Sequence, residues 1–95
     1  MTWASPVTRS FTVRGEVQGV GFRWYARETA ARCDVSGWIS NTADGSVTGE
    51  VGGDPPAVEA FLQAMVSGPP AARVDDIVTG TGDSSDLPSP FEIRR

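Results

Sequence analysis

The chain has no histidine, no lysine and a single cysteine, Cys33, among 95 residues. Without histidine, acid–base chemistry must fall to other groups or be unnecessary. Without lysine, all eight cations are arginines, so any fixed positive charge in a site is a guanidinium. A GC-rich coding sequence suffices to explain that bias. The lone cysteine excludes an internal disulfide and disfavours a thiolate metal site. No stretch approaches the roughly eighteen unbroken apolar residues of a membrane helix. The start, "MTWASPVTRS", lacks the basic run and apolar block of a secretory signal. These absences make the cytoplasm the expected location. A net charge of −4 argues against nucleic acid, whose phosphates are bound by many cations.

What is present fits one small soluble domain, with 39% apolar and 21% charged residues. Val7, Arg9, Phe11 and Val13 alternate with Thr8, Ser10 and Thr12, the period of a strand. Phe22, Ala26, Thr29, Ala30 and Cys33 recur at helical spacing, predicting an amphipathic helix of about three turns. "VSGWISN" and "SVTGEV" flank the turn signal Asp44-Gly45 and predict an antiparallel hairpin. "GDPPAVEAFLQAMVSG" is a second helix, with Asp54 as cap, Pro55 at its first position and Gly68 past its end. Its buried stripe is Val58, Phe61, Leu62 and Met65. "ARVDDIVTG" is a fourth strand, "TGDSSDLPSP" a polar loop, and "FEIRR" a short returning strand. The order βαββαβ predicts an α+β, ferredoxin-like sandwich: two helices on one face of a mixed, mostly antiparallel sheet with a short extra C-terminal strand. Residues 1–7 are expected to form a loose extension and 8–95 one domain.

Between the first strand and the first helix lies "RGEVQGVGFRW", with Gly15, Gly19 and Gly21 in seven positions. Trp24 stands where a dinucleotide fingerprint needs its third glycine, and no lysine follows Gly21 as in a Walker loop. The physics common to both survives. A glycine-relieved loop before a helix can turn several N–H groups toward one anion, which the helix dipole also favours. Arg23, in the first helical turn, offers a rigid fork of donors for phosphate oxygens. Helix position alone leaves it open between that role and a solvated surface arginine. Asn41, on the strand face of Val35, Gly37 and Ile39, is likewise open between a site residue and a turn-former before Asp44-Gly45.

Read together, "GEVQGVGFRWYA" and "GWISNTADGSV" resemble the acylphosphatase family, and the similarity runs from about residue 8 to residue 95. The resemblance implies an enzyme that hydrolyses acyl phosphates to a carboxylate and inorganic phosphate. It assigns phosphoryl binding to the backbone of Val17, Gln18, Gly19, Val20 and Gly21 with Arg23, and orientation of the attacking water to Asn41. For Gln18 the backbone is expected to matter more than the side chain. The implied partners are a small acyl phosphate and, as competing anions, phosphate or sulfate; no cofactor, metal, membrane or nucleic acid is implied, and the protein is expected to be a monomer. Similar domains occur fused within carbamoyl-transferring maturation proteins, but the complete element order here is that expected of a free-standing enzyme. A module that binds anions without turnover is the other alternative.

The chemistry tolerates the missing histidine. A carboxylate leaving group, from an acid of pKa about 4 to 5, departs unprotonated at neutral pH. The substrate phosphate, with a second pKa of about 6, can take the proton of the attacking water. What the protein must supply is electrostatics and geometry. Trp24, Tyr25 and Trp38 can line the acyl side of the substrate but are expected mainly as packing, Cys33 as a small buried hydrophobe, and Trp3 carries no assigned role. Arg14 and Arg27 can add positive potential or remain solvated.

Overall fold

The computed structural model describes residues 5–82 and 86–94. The elements are β1 (Val7–Glu16), α1 (Phe22–Cys33), β2 (Ser36–Asn41), β3 (Val47–Gly53), α2 (Pro55–Ser67), β4 (Arg73–Thr81) and β5 (Glu92–Arg94). Residues 1–4 of the expected extension, Trp3 among them, and part of the polar loop lie outside the described residues. Val7, placed in that extension, is already paired with Gly53.

The sheet runs β4-β1-β3-β2-β5. β1 is antiparallel to both neighbours, β3 is antiparallel to β2, and β5 joins β2 in parallel. The expected sandwich of two helices on a mixed, mostly antiparallel sheet is therefore the fold, with α1 over β2 and β5 and α2 over β1, β3 and β4. Alternation decides which face is covered. Phe11 and Val13 of β1 are buried beneath the helices, whereas Thr12 points to the open face and meets the Thr48 hydroxyl at 3.0 Å. On that open face the Trp38 indole N–H donates to Glu50 at 3.2 Å.

The core joins the helix stripes to this face. Phe61 of α2 lies 5.6 Å from the Phe11 ring and 5.4 Å from the Phe91 ring, so one side chain ties helix, central strand and C-terminal segment together. Val58 and Met65 are buried beside it, and Leu62, expected in the same stripe, is only partly covered. Phe22, Ala26, Thr29 and Ala30 form the buried face of α1, with Cys33 half-buried at its end. Gly68 ends α2 by donating to the Ala64 carbonyl at 2.9 Å. Asp54 holds the extended cap position before Pro55, but its side chain makes no capping hydrogen bond; the two prolines that follow already remove orphan N–H groups there.

One row of paired residues ends on a polar side chain. Ile77, Val13, Val47 and Asn41 face one another across β4, β1, β3 and β2. Three are apolar and the fourth is a carboxamide. Asn41 thus ends a core-facing row, just where β2 gives way to the turn.

Candidate active site

The loop begins where β1 shifts register against β4, between Arg14 and Gly15. Residues 17–21 then cross the end of the sheet and lead into α1. Gly21 is the cap residue of that helix, in the left-handed region with φ 79° and ψ 17°. A side chain would be strained there, and a glycine brings none to cap the helix. The Gly21 carbonyl accepts the first helical bond, from Tyr25 N–H at 3.0 Å. The first turn holds no acidic residue. Among the described residues, the main-chain N–H groups of 17–21 donate no hydrogen bond. No described side chain therefore offsets the positive end of the α1 dipole. Val17 is buried and anchors the loop, while Gly19 and Gly21 are exposed.

Arg23 is half-buried in the first turn and donates one bond, to the Arg94 carbonyl of β5 at 3.4 Å. Because Arg94 pairs with Ser40, that contact places the guanidinium beside the last residues of β2. Arg23 has no ion pair among the described residues. The acid just before the loop is already occupied: Glu16 accepts from Arg73 at 2.6 Å, and Arg73 also binds Asp75 at 2.9 Å. No described acid neutralises Arg23.

Asn41 stands on the other side. Its Oδ1 is buried and accepts no hydrogen bond from a described residue. Burying such an acceptor unpaired costs about 1–3 kcal/mol. The side chain that closes the turn is Asp44. Asp44 accepts from the Ser46 N–H at 3.0 Å, from the Ser46 hydroxyl at 2.6 Å and from the Thr42 hydroxyl. The Thr42 N–H closes the turn on the Ser46 carbonyl at 2.9 Å. Hydrogen bonds from Ser46 first, then Thr42, hold the Asp44 carboxyl well below the usual carboxylate range.

The two halves meet through a side chain of the loop itself. Gln18 Nε2 donates to the Thr42 carbonyl at 2.7 Å and to the Ser46 carbonyl at 2.8 Å. From sequence, the Gln18 backbone is expected to matter more than its side chain, yet the side chain is engaged by two hydrogen bonds. Sequence reasoning missed this role, together with those of Thr42 and Ser46. The signal for the latter pair was the T-x-D-G-S spacing, with a hydroxyl two residues on either side of an aspartate.

Of the aromatics, Tyr25 packs as expected, 6.0 Å from the Phe22 ring, with its hydroxyl donating to the Ala64 carbonyl at 2.8 Å. Trp38 lies on the open face below Arg94. Trp24 is 60% exposed and stacks against the Arg27 guanidinium at 4.0 Å, so it is not packing in the core. Arg14 makes a loose, exposed ion pair with Asp76 at 3.9 Å. Among the described residues no group of three His, Cys, Asp or Glu side chains is placed to hold a metal ion.

The sandwich defines a ferredoxin-like protein, a class that hosts many chemistries; comparisons with known proteins narrow it. The acylphosphatase family profile matches residues 9–93. An acylphosphatase of Salinibacter ruber is 42% identical over 86 residues, 90% of either chain. One from a Nocardioides species is 45% identical over 83 residues, 87% of this chain and 83% of its own. The crystal structure of acylphosphatase from Bacillus subtilis superposes with a TM-score of 0.88 at 31% identity, covering 94% of this chain and 99% of that one. The chain belongs to the acylphosphatase family.

Proposed function

We infer that this chain hydrolyses the carboxyl–phosphate bond of acyl phosphates, releasing a carboxylate and inorganic phosphate. The phosphoryl group is held by the backbone N–H groups of Val17, Gln18, Gly19, Val20 and Gly21 and by the Arg23 guanidinium. Asn41 orients the attacking water. The observation that carries the residue assignment is the buried, unpartnered Asn41 Oδ1 beside a loop whose donors are likewise unused.

The mechanism follows from where charge develops. As water attacks phosphorus, the equatorial oxygens redistribute charge, and fixed N–H groups with one guanidinium stabilise it without reorganising. Asn41 Oδ1 accepts one hydrogen of the water and holds its lone pair in line with the departing carboxylate. The other proton passes to a phosphate oxygen of the substrate, and the carboxylate leaves unprotonated. No histidine has a task in this sequence of events.

The substrate is a small acyl phosphate, and inorganic phosphate or sulfate competes for the same loop. We place the protein in the cytoplasm, a reading supported by its lone cysteine. Among the described residues no helix is long and apolar enough to cross a membrane. A monomer is supported by the scatter of the exposed large apolar side chains among the described residues, Trp24, Val66 and Val78, over three different elements. We take residues 8–95 as the catalytic domain.

Benzoyl phosphate hydrolysis tests the assignment. Arg23→Gln is expected to lower kcat/KM by about 100- to 1,000-fold and to weaken inhibition by phosphate. Asn41→Ala is expected to slow turnover by about 100-fold or more while leaving phosphate inhibition within about twofold of wild type. Full activity in both variants refutes the site.

A further inference from the structure

Everything assigned to the phosphoryl group lies on one continuous segment, residues 17–23. Asn41 lies on another, at the end of β2. In-line attack requires the two to stay in register, because a displacement of about 1 Å costs on the order of 100-fold in rate. Among the described hydrogen bonds, those of the Gln18 carboxamide alone join residues 17–21 to residues 41–46.

The anchor points matter. Thr42 directly follows Asn41, and Ser46 directly precedes Val47, the residue paired with Asn41 across the hairpin. Gln18 Nε2 therefore grips both arms of the turn immediately beyond the Asn41–Val47 pair, at 2.7 and 2.8 Å. Two carbonyl acceptors suit the two N–H donors of one amide nitrogen, and no other uncharged side chain of that length offers them. Both carbonyls are further held by the Thr42–Asp44–Ser46 network, so the grip acts on a rigid turn and not on a loose one.

We propose that Gln18 is a positioning residue: its backbone belongs to the phosphoryl cradle, and its side chain fixes the position of Asn41, and so of the attacking water, relative to that cradle. The proposal rests on the site assignment above. It separates two quantities that an ordinary structural role would move together. Phosphate affinity depends on segment 17–23 alone and survives loss of the side chain, whereas turnover depends on both segments and does not.

A double-mutant cycle decides it, with kcat for benzoyl phosphate and inhibition by inorganic phosphate measured in Gln18→Ala, Asn41→Ala and the double variant. Gln18→Ala alone is expected to lower kcat by about 10- to 100-fold with phosphate inhibition changed less than about twofold. On the Asn41→Ala background the same change is expected to cost less than about threefold, because the group it positions is gone. Equal losses on both backgrounds, or an unchanged kcat in Gln18→Ala, overturn the positioning role while leaving the site intact. An unchanged kcat in Asn41→Ala overturns the site, and the positioning role with it. Gln18→Glu supplies a readout that survives poor folding of the alanine variant. A carboxylate facing two carbonyls cannot donate, but its protonated form can. Its kcat is expected to rise as pH falls through the carboxyl pKa, a limb missing from wild type; a profile parallel to wild type overturns the proposal.

Discussion

Gly15 and Gly21 bracket the loop between β1 and α1 and need to be glycine for different reasons. At Gly15, φ is 135° and the backbone passes so close to the Arg73 carbonyl that an added Cβ would collide with it. At Gly21, φ is 79° but nothing stands within 4 Å of an added Cβ, so only backbone strain opposes a side chain. Gly21→Ala is expected to cost about 1–2 kcal/mol. Gly15→Ala, which adds a collision with main chain to strain of about 1–3 kcal/mol, is expected to cost more. Urea denaturation of both variants checks the order. At this scale spacing marks the glycine positions, whereas Arg23 and Asn41 are singled out by the family motif alone, since position leaves each open between a site residue and an ordinary one. The Gln18 clamp was not legible, since no local pattern tells a glutamine which carbonyls will face it 24 and 28 residues away.

Among the elements, the turn between β2 and β3 has the clearest solution signature. The Asp44 carboxyl titrates below the usual range because Ser46 and Thr42 donate hydrogen bonds to its ionised form. A folded-state pKa below the unfolded one adds stability that is complete above the ordinary aspartate value, about 3.9, and is lost as pH falls from there toward the lower folded value. Wild type is expected to lose stability steeply below about pH 4, and Asp44→Asn, already weakened at pH 7, to show a shallower loss in that window. Thermal melts across pH 2–7 measure this, and parallel curves contradict it. Asp44-Gly45 announced the turn in the sequence. Sequence did not reveal that the Asp44 side chain, and not Asn41, closes it, since both are turn-formers of similar character. The same limit applies at α2, where Asp54 occupies a cap position without a capping bond.

Across the whole molecule, Phe61 is the side chain on which the layers converge. It is fully buried and its ring meets Phe11 of the central strand and Phe91 just before β5. Phe61→Ala is expected to cost about 3–5 kcal/mol, read from the urea midpoint at unchanged slope. The apolar periods of β1, α1 and α2 were readable from the chain, and with them the sandwich. The strand order was not, because β5 joins β2 across an edge that only the assembled sheet creates. That edge also delivers the Arg94 carbonyl, which is the hydrogen-bond partner of Arg23.

The central claim, that the main-chain donors of residues 17–21 receive a phosphoryl group, is tested most directly by titrating inorganic phosphate into the ¹⁵N-labelled protein and following its amide resonances. Saturable shifts concentrated on Val17, Gln18, Gly19, Val20 and Gly21, with the Arg23 side-chain N–H signals moving at the same midpoint, are the expected result. If those signals stay still while others move, the anion is held elsewhere; if nothing saturates, the loop does not hold it; either result contradicts the account.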